Sequence, residues 1–225
     1  MIFKIKKKLH ILHNIYVKHK YFKKKETYAM DGEDLVIADY FKNRQNGFYV
    51  DVGCYHPIKE SHTAILYNNG WTGINLDISK DTIEMFNIFR PKDLNLNMGL
   101  SIKNGYQKAY YERNISTVSS LDKNYLSKIG RKNKIIRTVP VITLDKLRKK
   151  YKINKINFLK IDCENIDESI IMKSNLNSLD CNFLSVELLP QTHFGWKNYE
   201  LPKKNVNSYC KKYFFKSKMY KKLKR

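Results

Sequence analysis

Four carboxylates and one amide recur in this chain at the ends of short apolar runs. Asp51 lies in Phe48-Tyr-Val-Asp-Val-Gly53. Asp77 follows Gly73-Ile-Asn-Leu, Asn97 follows Leu94-Asn-Leu, Asp162 follows Ile156-Asn-Phe-Leu-Lys-Ile, and Glu187 follows Phe183-Leu-Ser-Val. Runs of this length and composition read as buried strands. In an open α/β sheet, ligands bind outside the carboxyl ends of the strands, so the five polar side chains are expected to face one crevice. Gly53 lets the chain turn tightly after the first strand and lets a ligand come close. Asp77 lies 26 residues after Asp51, near the ~20-residue offset at which an acid meets the hydroxyls of a nucleotide ribose. A carboxylate can accept from both hydroxyls, so the spacing points to an adenosine-containing cofactor. The second and third glycines of G-x-G-x-x-G are missing, which excludes a plain dinucleotide fingerprint.

The elements that must position these groups alternate strand with helix. The spacing predicts helices over Glu60–Asn69, ended by Asn69-Gly70, and over Ser79–Phe89, capped by Ser79 and stopped by Pro91. Shorter helices are predicted over Leu144–Tyr151 and Ile166–Lys173. Strands are predicted at Phe48–Val52, Gly73–Asp77, Leu94–Leu100, Ile156–Asp162 and Phe183–Glu187, with Val139–Ile142 extended. This is an α/β pattern: a mostly parallel sheet with helices on both faces and right-handed crossovers. Residues 102–137 read as irregular and polar, an insertion or lid beside the pocket, with Ser116-Thr-Val-Ser-Ser120 in the middle. Asp31-Gly-Glu-Asp34 starts a helix whose apolar face is Leu35, Val36, Ile37, Tyr40 and Phe41. In residues 2–17, Ile5, Leu9, Leu12 and Tyr16 recur at helical spacing among lysines, a basic amphipathic helix that docks on the domain or lies on an anionic membrane surface.

A chain of 225 residues with 42% apolar content folds as one domain with a sizeable core. Its net charge of +22 is uneven. Residues 1–25 hold nine lysines and residues 203–225 hold nine lysines and an arginine, neither with any acid, which leaves +3 for residues 26–202. The basic ends are candidates for contact with anionic membrane or nucleic acid, while the frequent lysine, asparagine and isoleucine also fit an AT-rich coding sequence. Cys54, Cys163, Cys181 and Cys210 form no C-x-x-C and read as reduced thiols. No apolar run approaches a ~20-residue membrane span, and no clean secretory signal is present. The expected location is the cytoplasm, including the surface of a membrane.

Several blocks carry a family resemblance. Asp51-Val-Gly-Cys-Tyr-His-Pro57, Ser61-His-Thr63, Tyr67 and Gly70-Trp-Thr-Gly-Ile-Asn75 with Asp77 resemble the FkbM-type methyltransferases. So do Gly32-Glu-Asp34, Phe89-Arg-Pro91, Asn95-Leu-Asn-Met-Gly-Leu-Ser101, Val141-Ile-Thr-Leu-Asp145, Phe158-Leu-Lys-Ile-Asp-Cys-Glu164, Met172-Lys-Ser-Asn-Leu176 and Ser185-Val-Glu187. The ordered set covers roughly residues 31–190. The resemblance implies a Rossmann-like class I methyltransferase fold using S-adenosylmethionine. The expected organisation is a basic N-terminal segment over 1–30, the methyltransferase domain over 31–202, and a basic segment over 203–225 that completes or extends it. By the same resemblance Asp51, Gly53 and Tyr55 border the methionine part of the cofactor. Asp77 takes the ribose hydroxyls, Asn97 and Gly99 lie by the adenine, and Asp162 lies near the methyl group. Departures are Cys54 for a usual alanine, His62 for asparagine, Asn165 for the glycine that follows the Asp-x-Glu block, and Asp167 for glutamate.

Methyl transfer from a sulfonium to a hydroxyl needs alignment and removal of a proton. Asp162 and Glu164 are the first candidates for the base, with His56 next. Two carboxylates so near one another raise the pKa of one of them; the alternative is that they hold a Mg²⁺ together with the acceptor's oxygens. Glu164 also reads as an acid at a helix N-terminus, facing its dipole. His193 and Trp196 are candidates to line an acceptor pocket. The leading expectation is an O-methyltransferase acting on a sugar, glycan or other small hydroxylated metabolite. The alternatives are an RNA methyltransferase gripping phosphates through the basic ends, disfavoured by the lack of an Asn-Pro-Pro-Tyr or Pro-Cys motif, and a non-catalytic cofactor-binding relative.

Overall fold

A computed structural model describes residues 2–20, 23, 25–30, 32–175 and 179–186. The chain opens with α1 (Ile2–Leu12), which continues into a π-helical turn (His13–Lys18), and then α2 (Glu33–Tyr40). The central run is β1 (Phe48–Val52), α3 (Ala64–Asn68), β2 (Thr72–Asp77), α4 (Lys80–Phe89) and β3 (Leu94–Asn97). There follow β4 (Gly99–Leu100), β5 (Gly105–Tyr111), α5 (Tyr125–Lys128), β6 (Ile135–Ile142) and α6 (Leu144–Lys150). Last among the described residues come β7 (Ile156–Ile161), α7 (Asp167–Lys173) and β8 (Cys181–Val186).

The main sheet has the order β3-β2-β1-β7-β8, and every pairing in it is parallel. The chain steps outward one way from β1 through β2 to β3, then returns to place β7 and β8 on the other side of β1. The reversal falls between β1 and β7, which opens a crevice at their carboxyl ends. The α/β class and the five strands read from the sequence are therefore present, though the predicted end of the fifth strand, Glu187, lies outside the described residues.

The register explains how each strand is buried. Parallel neighbours in register point to the same face. Val50 and Val52 align with Ile74 and Leu76 on one side and Leu159 and Ile161 on the other. This aliphatic face packs against α6 and α7 through Leu144, Leu147, Ile170 and Ile171. On the opposite face Tyr49, Phe158 and Phe183 meet Ile37, Phe41, Leu66 and Trp71 from α2, α3 and the loop before β2. Gly73 is required there because a Cβ would stand 2.3 Å from the Tyr49 ring. The same face carries a polar row across the sheet: Asn95, Asn75, Asp51, Lys160 and Ser185 are successive register partners.

Three expectations change. The predicted third strand over Leu94–Leu100 splits at Met98: β3 stays in the main sheet, while β4 joins a second sheet of order β4-β6-β5. Residues 102–137 are not irregular throughout. β5 and β6 pair antiparallel from Gly105↔Val141 to Tyr111↔Ile135, because alternate residues Ala109, Tyr111, Val139 and Val141 bury a common face. The helix predicted from Glu60 begins only at Ala64. The Thr63 hydroxyl makes no cap: its oxygen accepts from Arg90 Nη1 at 2.7 Å and its proton goes to Asp51 at 2.6 Å.

The N-terminal helix docks by a face that overlaps only in part the one its spacing suggested: Leu12 packs on the domain and Tyr16 meets the Phe89 ring edge-on. Ile11 and Ile15 are buried against Ile58, Met85 and Phe89, with Leu12 partly buried beside them, while Ile5, Leu9 and Tyr16 are exposed. Arg90, also buried, knits the first loop to α4. Its guanidinium donates to Thr63 Oγ1 at 2.7 Å, Pro57 O at 2.6 Å and Ser61 Oγ at 2.9 Å. It also lies over the rings of Phe86 and Tyr67. Ser61, Thr63 and Phe89-Arg-Pro91 are thus tied together by a buried polar network, satisfied as such groups must be.

Candidate functional site

A cavity of about 480 Å³ opens at the carboxyl edge of the main sheet, on the β1–β7 reversal. Its floor is built from the ends of three strands. Gly53 follows β1, Asp77 ends β2, and Asp162 follows β7. Gly53 has φ +71°, and a Cβ there would fall 1.8 Å from the Asp162 carbonyl oxygen. The two strand ends approach so closely that only glycine fits.

Asp77 is held by backbone. Its Oδ1 accepts from Ser79 N at 2.7 Å and its Oδ2 from Tyr55 N at 3.0 Å. Each oxygen keeps a further lone pair. Burial pushes its pKa up, against these two N–H groups, to about 6. Beyond Asp77 the wall turns apolar, with Ile78, Met98, Gly99 and Leu121. At Gly99 a Cβ would sit 3.0 Å from Ile78 and 3.2 Å from Leu121, so the glycine keeps this slot open.

Lys160, only 4% exposed, lies under the floor with its ammonium at the centre of a cluster. Nζ donates to Gly53 O at 3.0 Å and lies 3.0 Å from Asp162 Oδ2 and 3.6 Å from Asp51 Oδ1. Burial pulls its pKa down, but Asp162 and Asp51 more than reverse this and the net shift is upward. A lysine inside the apolar run Phe158-Leu-Lys-Ile161 is a visible signal in the sequence. A buried strand keeps a charge only when it is paired.

Glu164 stands at the mouth of the reversal. Its side chain lines the cavity and accepts from the Tyr125 hydroxyl, and its carbonyl accepts from Ser120 Oγ at 2.6 Å. Burial first, and then the neighbouring Asp162, push its pKa up to about 8. Its φ is +56°, and that of Asn165 is +81°. Of the six non-glycine residues with positive φ among the described residues, Tyr55, Glu60 and Glu164 all line the cavity. Backbone held in sparsely populated regions concentrates at functional sites.

The segment after β5 forms the roof. Ser116, Thr117, Ser119 and Leu121 face the cavity. The roof is pinned on one side by the contacts to Glu164 and by Asn165 Nδ2 donating to Asp122 at 2.7 Å. On the other side the Tyr111 hydroxyl donates to Ile78 O at 2.9 Å, and Ser79 Oγ donates to Asn114 O. The remaining wall comes from Met30, Glu33, Glu60 and His62. Burial and then Lys160 lower the His62 pKa.

The structure brings together Gly53, Tyr55, Asp77, Gly99, Asp162 and Glu164 on this cavity. It places the other three predicted residues elsewhere. Asp51 lies one row deeper than the strand-end acids. It is 1% exposed in the polar row of the sheet and reaches the site only through Lys160. Its place on the rim is taken by Gly53. Asn97 pairs in register with Asp77, but its amide donates to the carbonyls of Asp77 and Ile78, both at 3.0 Å, so it braces the turn from behind. His56 is buried away from the cavity. Its Nδ1 accepts from Ile58 N and Lys59 N, and its Nε2 is bonded to Asn14 at 3.1 Å. Burial, and then His19, pull its pKa down to about 3, and neither ring nitrogen is left for a substrate. It is a structural residue, not a base. Glu187, His193 and Trp196, and the segment over 203–225, lie outside the described residues.

Among the described residues no group of three or more His, Cys, Asp or Glu side chains is arranged to hold a metal ion. No helix among them is long and apolar enough to cross a membrane. Cys54, Cys163 and Cys181 are free thiols, and burial pushes the pKa of each up. The family model described as the methyltransferase FkbM domain matches residues 51–216. No curated protein and no solved structure matches the chain.

Proposed function

The chain belongs to the FkbM family of S-adenosylmethionine-dependent methyltransferases, and we propose that it methylates a hydroxyl of a sugar, glycan or other small hydroxylated metabolite. The observation that carries this reading is the meeting of Asp77, Gly53 and Glu164 on one cavity at the sheet reversal. The cavity lies in the size range of cofactor sites, and its residues fit the cofactor. The two free lone pairs of Asp77 suit ribose hydroxyls. The slot of Ile78, Met98, Gly99 and Leu121 suits a flat purine. Gly53 and Tyr55 leave room for the methionine portion beside Asp162. When bound, S-adenosylmethionine supplies an electrophilic methyl group for in-line displacement.

The protein's own part is to orient the acceptor and take its proton. Glu164 lines the cavity beside Asp162 and its pKa is pushed up to about 8, while Asp162 is held in an ion pair with Lys160. In its carboxylate form Glu164 accepts the hydroxyl proton. Glu33, Glu60, Ser116, Thr117 and Ser119 surround the same space with hydrogen-bonding groups, which suit a polyhydroxylated acceptor. Asp51 and Asn97 act at one remove, through Lys160 and the Asp77–Ile78 turn.

The test is calorimetric titration of S-adenosylhomocysteine into wild type and Asp77→Ala, followed by transfer of labelled methyl to a panel of sugars. Binding weakened tenfold or more in the variant, with label appearing on a sugar hydroxyl, is the expected result. Unchanged binding overturns the role of Asp77. Label on RNA and on no sugar overturns the acceptor class.

A further inference from the structure

We propose that the N-terminal helix is an interfacial anchor that lays this protein on an anionic lipid surface. Among the described side chains, those holding it to the domain lie in the last turn of α1 and the π-helical turn: Ile11 and Ile15 are buried against Ile58, Met85 and Phe89, and Tyr16 meets the Phe89 ring edge-on. Asn14 adds its bond to His56. Earlier in the helix, the apolar residues whose side chains are described face solvent. Ile5 is 50% exposed and Leu9 60%, one helical turn apart, and beyond them Val17 is 61% exposed. Lys6, Lys8, Lys18 and Lys20 are exposed around them, and the first acid in the chain is Glu26.

Exposed isoleucine and leucine at i and i+4, flanked by lysines with no compensating carboxylate, match what an amphipathic helix needs to lie in the headgroup region. The lysines meet lipid phosphates while the apolar pair enters the acyl boundary, and juxtamembrane basic residues are each attracted by the negative surface. A nucleic acid would use the lysines but leave Ile5 and Leu9 in water. The helix is too short to span a bilayer, so it lies on the surface.

The test is co-sedimentation of the full chain with phosphatidylcholine vesicles and with vesicles of phosphatidylcholine and phosphatidylglycerol. Wild type is expected to bind the anionic vesicles and not the neutral ones. Ile5→Gln/Leu9→Gln keeps every charge, touches no buried residue and is expected to weaken binding tenfold or more. Lys6→Gln/Lys8→Gln is expected to weaken it while leaving the apolar pair in place. Circular dichroism and the melting temperature, unaltered in both, establish that each variant folds. Failure of wild type to bind anionic vesicles overturns the proposal. So does equal binding by Ile5→Gln/Leu9→Gln, which would assign the attachment to charge alone. Tight binding of RNA with no vesicle binding would assign the basic surface to nucleic acid instead.

Discussion

Replacing Glu164 with glutamine separates the energetic signature of this carboxyl from everything around it. Its pKa rises from 4.5 to about 8 on folding because it is buried beside Asp162. Between those two values the unfolded chain has given up the proton and the folded chain still holds it. Stability therefore falls as pH rises from 4.5 to 8 and is flat outside that window. Each unit of the window is worth about 1.4 kcal/mol, so wild type loses about 2–3 kcal/mol from this group between pH 5 and pH 7. Glutamine has no proton to lose, keeps the shape, and keeps an oxygen for the Tyr125 hydroxyl. The variant is expected to gain on wild type by that amount across the interval. The assay is urea unfolding of both proteins at half-unit steps from pH 5 to pH 8, comparing the difference in unfolding free energy rather than either curve alone. A difference that does not change with pH would refute the argument, because it would mean that Glu164 titrates in the folded protein as it does in the unfolded chain. A difference that changes with the opposite sign would mean that the carboxylate is stabilised by the fold, and the base assignment would lose its basicity.

Methyl transfer by wild type is expected to rise with pH to a plateau above about 8, and Glu164→Gln to lose 10²-fold or more in kcat with S-adenosylhomocysteine affinity retained, read from initial rates and calorimetry. Gly53→Ala places a methyl group 1.8 Å from the Asp162 carbonyl oxygen, far inside van der Waals contact; it is expected to abolish cofactor binding, and a variant that binds normally would show that β1 and β7 part more readily than their pairing implies. Lys160→Met leaves Asp51 and Asp162 without their common cation and is expected to lower unfolding free energy by about 3–5 kcal/mol, measured by urea titration at pH 7. His56→Asn is expected to lower the melting temperature while leaving kcat within about twofold, since among the described residues the ring nitrogens bond to Ile58, Lys59 and Asn14; a loss of kcat comparable to that of Glu164→Gln would restore it to the chemistry.

The strands and their order were legible because each is an apolar run whose period and length leave little choice, and the alternation with helices admits few topologies. The rim of the site was legible for a related reason: Asp77 and Asp162 end such runs, and an acid after a buried strand must point to solvent or to a ligand. Asp51 was misplaced by the same rule applied one step too early. It is not the end of its run but the next-to-last residue of β1, with Val52 and then Gly53 after it. The polar row of Asn95, Asn75, Asp51, Lys160 and Ser185 was also written in the sequence, as one polar residue flanked by aliphatics in each of five strands. Reading it required the register, which fixes which of these residues face one another and which no single strand contains. His56 next to Pro57 carried a chemical side chain in a plausible loop, and only its three neighbours reveal that the ring is a spacer. The β5–β6 pairing is not legible in the sequence because its buried positions, Ala109, Tyr111, Val139 and Val141, are diluted by exposed Tyr106, Lys108, Ile136 and Arg137.

The roof and the loop after β7 depend on one another, and Asn165 is where the dependence is concentrated. Glu164 and Asn165 are consecutive residues in the left-handed region, which turns the chain out of β7 sharply enough to bring the Glu164 carboxyl into the cavity. A glycine at the second position would adopt that backbone without strain. Asparagine is among the side chains that tolerate it best, and here its amide donates to Asp122, on the roof. A net hydrogen bond of about 1 kcal/mol is comparable to the residual backbone strain, so the exchange of glycine for asparagine is close to neutral in stability. It is not neutral in mobility. A glycine would leave Glu164 attached to the roof through Tyr125 and Ser120 alone. Asn165 adds a third tie one residue on, and Asp122 is itself held by Lys128 at 3.5 Å. The departure from the family pattern therefore tightens the placement of the proposed base relative to the cavity roof, at the expense of the freedom with which that roof can lift away from the strand ends.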